Sequence, residues 1–400
     1  ECLAKGTAFH NADLTRGERE AVETEFRRRD GGVRALVATS TVAAGVNTPA
    51  STVVIVEHTF RGETDTPYSI GTYKNMAGRA GRFGYAERGR SILLADGSGE
   101  RRRLFDHYVM GTPEPMTSAF SSGDLDTWVL RLFTQVDTVP RAEAPALLSG
   151  TFGGFLAARS SPSWTAETER QVAELLARMV SLGLVTDEPE GVRLSLLGRA
   201  CGRSTVSFRS ALQLVEMLRA PRSTPLTPHA LLAFLGALNE GDATYTPIFK
   251  KGDREKVWSG ELSRRMSEAA RVLQRGAADE WAWHARCKRL LIVLDWAAGM
   301  PMQEIERKFT VNPYQAVGPG TVRSIADAVR FHLRSAAGIA SVLLVERGPT
   351  PEATESLMRS LEFGVPVDTL PLLDLRIAWT RGELLSLRSA GLRSVSELGQ

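Results

Sequence analysis

The sequence predicts an α/β lobe over residues 1–112 followed by mostly α-helical domains, and three observations carry that division. Short apolar runs alternate with helical patterns up to about residue 110, the order of a parallel sheet with crossover helices. A proline-rich joint, Gly111-Thr112-Pro113-Glu114-Pro115, then interrupts the chain. Beyond it the apolar residues recur at helical spacing, broken by one candidate strand pair.

At 400 residues the chain has room for two to four domains and several cores. Its formal net charge is only +3, so a nucleic-acid surface has to come from local clustering rather than bulk charge. Cys2, Cys201 and Cys287 stand far apart and form no CxxC, which excludes a disulfide framework or a zinc set and fits a reducing cytoplasm. The six histidines are scattered too, and no metal site is expected. No apolar run approaches membrane-spanning length and the start has no secretory pattern, so a cytoplasmic protein is expected, nucleoid-associated in a bacterium or archaeon. Glu1 is not an initiator methionine, so the sequence reads as cut from a longer one.

Within the lobe, Thr7-Ala8-Phe9 reads as a short strand, and Thr15 with Glu18 gives a capping-box signal for a helix to about Arg28. Leu36-Val37-Ala38, after Val33, is an apolar run of the buried-strand type. Thr39, Ser40 and Thr41 follow it, then Gly45-Val46-Asn47 and Pro49. Hydroxyls and free amides at a strand end suit phosphate and sugar contacts, and Gly45 lets backbone approach a ligand. Further strands are expected at Val53–Val56 and Ser91–Ala95. Between them Tyr73–Arg82 reads YKNMAGRAGR, with Arg79 and Arg82 among Gly78, Ala80 and Gly81. Each glycine costs a helix about 1 kcal/mol, so helix formation alone does not ask for this composition. It offers two planar guanidinium forks on a bare backbone, the means by which phosphoryl oxygens are gripped. A solvated basic turn is the plain alternative for GRAGR taken alone. Ligand sites in such a sheet fall at the carboxyl ends of the strands, where both stretches lie.

ATSTVAAGVNTPA followed by YKNMAGRAGR resembles motifs V and VI of superfamily two helicases, and the wording AAGVN with NMAGRAGR resembles their Ski-two-like DExH-box branch. Upstream, FHNADLTRGERE, Phe9–Glu20, resembles that branch's motif between IV and V. Asn75 stands where the branch has glutamine, and Asn11 and Asp13 stand where it has histidine and glycine. The resemblance implies that residues 1–112 are the second RecA-like lobe of such a helicase, N-terminally incomplete, with Arg79 and Arg82 sensing and stabilising the γ-phosphate of ATP. It implies that Asn75, Gly78, Gly45 and Asn47 border the nucleotide, and that Thr39 and Thr41 meet the nucleic-acid backbone. Neither a Walker A loop, GxxxxGK[ST], nor a DExH box occurs in the sequence. ATP and Mg2+ are therefore expected to be held mainly by a first RecA-like lobe, in the same protein or a partner subunit, and the chain alone is expected to be inactive.

The stretch Ile55–Thr72 has a turn-rich centre, Arg61–Asp65, flanked by Thr59-Phe60 and Tyr68-Ser69-Ile70, which fits a β-hairpin with a polar tip. In DNA-unwinding members of the family a hairpin at this place splits the duplex, which implies that Phe60 stacks on the last base pair, a contact worth about 1–3 kcal/mol per base. A surface hairpin with Phe60 packed on its own lobe is the alternative.

Residues 113–200 read as a winged helix. From Ser163, the residues Val172, Leu175, Leu176, Met179 and Val180 share a helix face, Gly183 closes the helix, and Leu184-Val185 with Val192–Leu197 make a wing around Asp187–Gly191. The resemblance implies a hinge against the RecA-like lobes rather than a DNA reader. Residues 201–345 read as all-helical, with Trp281, Trp283 and Trp296 on amphipathic helices as core rather than base platforms. A helix from about Pro319 to Ala337 buries Val322, Ile325, Ala326, Val329 and Leu333. Its other stripe, Arg323, Asp327, Arg330 and Arg334, spans about 16 Å at 1.5 Å per residue. Cations with Phe331 beside them are the components of a single-strand channel, and an ordinary solvated face with Asp327 pairing locally is the alternative. YQAVGPGTVRSIADAV resembles the start of the ratchet helix of the archaeal fork helicase and of the helicase part of DNA polymerase theta, with Arg323 or Ser324, and Phe331, in the places of that helix's arginine and tryptophan. In residues 346–400, AGLRSVSEL resembles the second half of a helix-hairpin-helix, although Ile377–Arg381 stands where the glycine pair is expected.

The sequence thus points to the C-terminal part of an ATP-dependent, 3′-to-5′ DNA helicase of the Ski-two-like family, acting on single-stranded or forked DNA. An RNA helicase of the same branch is the runner-up. A non-catalytic nucleic-acid-binding adaptor that borrowed a helicase lobe is the alternative of a different class.

Overall fold

In the computed structural model the backbone divides into two units, Glu1–Thr117 and Ser118–Gln400. The structure describes residues 5–11, 14, 16–28, 32–39, 50–60, 66–81, 88–118, 124–221, 225–375, 377 and 379–398.

In the first unit, strands alternate with helices: β1 (Thr7–His10), α1 (Arg16–Arg27), β2 (Ala35–Ala38), β3 (Thr52–Ile55), β4 (Thr59–Phe60), β5 (Thr66–Pro67), α2 (Ile70–Ala77), β6 (Arg90–Leu93) and α3 (Ser98–Leu104), which runs on into a π-turn, Phe105–Val109. β1 pairs with β2 and β3 with β6, both in parallel, as connections through helices require. β4 and β5 form an antiparallel hairpin with Phe60 opposite Thr66, and its tip, residues 61–65, lies outside the described residues. A small core of Ile55, Tyr73, Leu104 and Tyr108 holds β3, α2 and the π-turn together. β2 is not a buried strand. Val37 is 55% exposed, because the described residues lay no second layer over that side of it.

The second unit opens with α4 (Leu125–Phe133), β7 (Thr138–Val139), α5 (Ala144–Ser149), α6 (Phe152–Ser160), α7 (Trp164–Ser181), β8 (Val185–Glu188), β9 (Gly191–Leu194) and α8 (Leu196–Gly202). The strand pair expected from sequence has a third member, because β7 joins the far side of β9 to give an antiparallel sheet in the order β7-β9-β8. α7 buries Val172, Leu175, Leu176 and Met179 and is followed by Gly183 at φ 71°.

The rest is helical: α9 (Phe208–Arg219), α10 (Pro228–Gly236), α11 (Asn239–Asp242), α12 (Val257–Arg265), α13 (Ser267–Gln274), α14 (Glu280–Ala297), α15 (Met302–Phe309), α16 (Pro319–Leu343), α17 (Pro351–Phe363), a 3-10 segment Val367–Leu375, α18 (Arg381–Ser389) and α19 (Val395–Leu398). One apolar core runs continuously from α4 to α17. α14 lies at its centre and is not amphipathic: apart from Ala285 and Leu294, every residue from His284 to Ala297 is buried, charged ones included. Trp296 is core, its indole N–H donating to the Leu361 carbonyl at 2.7 Å. Trp281 and Trp283 are half-buried. α17 packs into this core through Leu357 and Leu361, and the residues after it form a separate small cluster around Val365, Leu370, Leu372 and Leu384.

Candidate functional site

The first candidate site is built on α2, which carries the front of the arginine-rich stretch. Ser69 caps the helix, its hydroxyl accepting from the Thr72 amide at 3.0 Å. A second cap comes from the proline-rich joint: the Glu114 carboxylate accepts from the Ile70 amide at 2.7 Å and the Gly71 amide at 2.9 Å. A helix N-terminus presents unsatisfied N–H groups and positive potential, so a carboxylate suits it. The bond from the Gly71 amide is the leading cause holding the Glu114 carboxyl below its ordinary range.

At the other end the helix stops at Gly78, and the next turns are stitched to the residue that closes the 39–50 stretch. The Ala50 amide donates to the Arg79 carbonyl at 3.1 Å, the Gly81 amide donates to the Ala50 carbonyl at 2.9 Å, and Ala50 bridges Ala80 in parallel. Gly81 has φ 69°, and a Cβ there would stand 2.3 Å from the Gly89 nitrogen. Glycine is therefore required on two counts, a left-handed backbone and a close approach of two chains. Arg79 is buried at 9% exposure, and Asn75 is exposed one helical turn before it. Thr39 follows β2, exposed, with its amide on the His10 carbonyl at 3.2 Å. Gly78 is exposed at the helix end. Thr41, Gly45, Asn47 and Arg82 lie outside the described residues.

The hairpin is tied to the same helix. Tyr108 shares its hydroxyl proton between the carbonyls of Tyr68 (3.0 Å) and His58 (3.3 Å), the two feet of β5 and β4, while its ring packs on Tyr73 of α2 at 5.3 Å. Phe60 is 42% exposed and meets Tyr68 edge-to-face at 4.5 Å. It thus keeps one side on its own unit and one side in solvent.

In the second unit the candidate interface is α16. The face expected to be buried is buried: Val322, Ile325, Ala326, Val329 and Leu333. The cationic stripe is not bare. Arg330 pairs with Asp327 at 3.2 Å and reaches Glu362 of α17 at 3.5 Å, and Arg334 pairs with Glu355 at 2.9 Å. Phe331 is exposed, its ring edge-on to His332. Burial first, and then the neighbouring Arg323 charge, push Arg381 of α18 down to about 10. Arg381 stacks over the Trp296 ring at 4.3 Å and donates to the carbonyls of Gly364 and Met300, each at 2.7 Å, so the tail is anchored beside Arg323. Burial pushes both the Cys201 and Cys287 thiols up to about 12, so neither is a nucleophile at neutral pH. Cys2 lies outside the described residues, as does Asp13.

Sequence reasoning missed Glu114, Tyr108, Glu355 and Glu362. Their partners sit on other elements, so no local period announces them. The one available signal was a carboxylate flanked by prolines at Glu114.

Residues 4–84 match the helicase conserved C-terminal domain. The chain is 24% identical over 416 residues to the ATP-dependent DNA helicase Hel308 of Caldivirga maquilingensis, covering 99% of this chain and 52% of that protein. It is 26% identical over 407 residues to the ATP-dependent DNA helicase Hel308 of Pyrobaculum calidifontis, covering 100% of this chain and 53% of that protein. The chain spans about half the length of the curated relatives it matches. Among the described residues no helix is long and apolar enough to cross a membrane.

Proposed function

We propose that this chain is the C-terminal part of a Hel308-like, ATP-dependent DNA helicase that unwinds in the 3′-to-5′ direction. The observation that carries the reading is the seam between Ala50 and Arg79–Gly81, which joins the two stretches resembling motifs V and VI in one backbone junction. A guanidinium that stabilises developing charge on phosphate has to be fixed in place beforehand. The seam fixes Arg79 from one side and the Glu114-capped helix from the other.

In this reading Arg79 and Arg82 meet the γ-phosphate, with Asn75, Gly78, Gly45 and Asn47 along the nucleotide. Guanidinium and amide donors suit phosphate oxygens, not a cation. Mg2+ therefore falls to the first RecA-like lobe, of the same protein or a partner subunit. Thr39 and Thr41 contact the nucleic-acid backbone, the β4–β5 hairpin divides the strands with Phe60 in the pair adjoining its tip, and α16 grips one strand through Arg323, Arg330 and Phe331. Residues 113–200 serve as a winged-helix hinge, 201–345 as the ratchet domain and 346–400 as a helix-hairpin-helix-like cap. Tyr108 links the hairpin feet to α2, so a shift of the ATP-facing helix is felt at the point of strand separation.

The test is direct. The chain purified alone should bind a labelled single-stranded oligonucleotide yet show no nucleic-acid-stimulated ATP turnover above a mock preparation. Turnover by the pure chain would refute the division of the ATP site, and failure to bind would refute the DNA reading.

A further inference from the structure

The loop between α11 and α12, residues 243–256, has no regular structure over a length at which loops inside compact domains are uncommon and usually functional. Pro247, Ile248 and Phe249 turn inward, and buried charged groups hold the loop by hydrogen bonds. Lys288 of α14, fully buried, donates to the Pro247 carbonyl at 2.6 Å and to the two Glu255 oxygens at 3.1 and 3.0 Å. Glu255, also buried, accepts in addition from the Phe249 amide at 2.9 Å and the Trp258 indole N–H at 2.6 Å. Arg289, buried beside Lys288, donates to the Thr246 hydroxyl at 2.9 Å. A buried ion pair is a poor source of stability and is best attested where it fixes one conformation among several. Here the conformation it fixes is that of the loop.

The loop directs positive charge outward. Glu255 is neutralised inside by Lys288, and Asp253 is paired with Lys256 at 3.2 Å. Lys250, Lys251 and Arg254 remain, all exposed and none ion-paired among the described residues. Beside them in sequence, Tyr245 is 70% exposed. A tyrosine that size left in water next to cations is the pairing that single-strand surfaces use, phosphate contacts with a stacking ring.

We propose that loop 243–256 is a nucleic-acid contact separate from α16, in which Lys250, Lys251 and Arg254 bind phosphodiester groups of a DNA single strand and Tyr245 stacks on an unpaired base. This rests on the DNA-binding reading above, deepening it by a site. The buried Lys288–Glu255 pair acts as the staple that holds the loop in its binding shape before DNA arrives, so that little ordering entropy is lost on binding.

The experiment measures affinity against salt for the full chain, by fluorescence anisotropy, with a labelled single strand and a blunt duplex of the same sequence. Changing Lys250, Lys251 and Arg254 together to alanine should lower the single-strand slope of log affinity against log salt by about 2, at about 0.7 per lost phosphate contact. Tyr245→Ala should weaken single-strand binding with the slope unchanged and leave duplex binding as it was. All four side chains are exposed, so the fold is untouched. If the parent binds with its salt dependence and the triple variant superimposes on it, the loop is a solvated surface and the inference is wrong. A triple variant that loses as much slope on the duplex and a Tyr245→Ala variant without effect would also overturn it, because the contact would then be to duplex backbone. Should the parent bind neither probe, the loop assignment falls together with the reading it rests on.

Discussion

Arg330 and Phe331 are neighbours on α16 that should fail in different ways. Arg330→Ala removes a cation whose present partners are Asp327 and Glu362, with side chains 33%, 63% and 43% exposed in that order. Exposed pairs of this kind are worth about 0–1 kcal/mol, so the substitution should cost the fold less than about 1 kcal/mol, and a phosphate can compete for the guanidinium. If Arg330 binds one phosphate of a single strand, its loss lowers the salt slope by about 0.7. Phe331 is 64% exposed, so alanine there opens no cavity. Loss of one stacked base costs about 1–3 kcal/mol, roughly a 5- to 150-fold weaker affinity, with no counterion released and hence no change of slope. Neither residue lies on the buried stripe and alanine is the best helix former, so circular dichroism should be unchanged. Anisotropy of a labelled single strand across a salt series separates the two outcomes on one plot. Two variants that overlay the parent at every salt concentration would show that α16 presents an ordinary solvated face held by its acids.

Two further outcomes follow from the first unit. Gly81→Ala forces a left-handed φ on a residue with a Cβ, at about 1–2 kcal/mol, and drives that Cβ into the Gly89 backbone. Thermal unfolding should show the first unit losing at least about 2 kcal/mol, and a parental Tm would mean the seam is not formed as described. Glu114→Gln keeps the shape but loses the charge on the α2 N-terminus. Because hydrogen bonding in the folded state lowers this carboxyl, its contribution is present above the ordinary value of 4.5 and is lost as pH falls through the lowered folded value. The parent should therefore unfold at higher denaturant than the variant at neutral pH, and the gap should close on acidification below 4.5; a gap that persists in acid would assign the effect to packing.

What was readable in advance was whatever a local pattern encodes. Strands β1, β2, β3 and β6 lie within a residue or two of their expected places, because apolar runs bounded by turn residues signal themselves. The five buried positions expected on α16 are buried, since its apolar residues recur at helical spacing, but the helix runs past the expected end at Ala337 to Leu343 and buries Ala336, Ile339 and Ala340 as well. α14 was misread as amphipathic because Arg286, Lys288 and Arg289 look like a solvent face; each is instead buried against partners far away in sequence, among them Asp242, Glu255 and Thr246. The arginine stripe of α16 was legible as a stripe, whereas the acids of α17 facing it were not, because two helices share no sequence period. Arg79 was singled out by chemistry, but the Ala50 seam and the Glu114 cap that position it are tertiary contacts.

The central claim is that the arginines after α2 serve ATP rather than DNA. In the proposed full helicase, this chain together with the first RecA-like lobe, Arg82→Ala should be assayed in parallel for single-strand-stimulated ATP turnover and for single-strand affinity. Arginine fingers contribute roughly 10³- to 10⁵-fold in GTPases, so turnover should fall by at least about 10²-fold while affinity stays within a few fold. A variant that keeps its turnover and loses its DNA would contradict the account at its base.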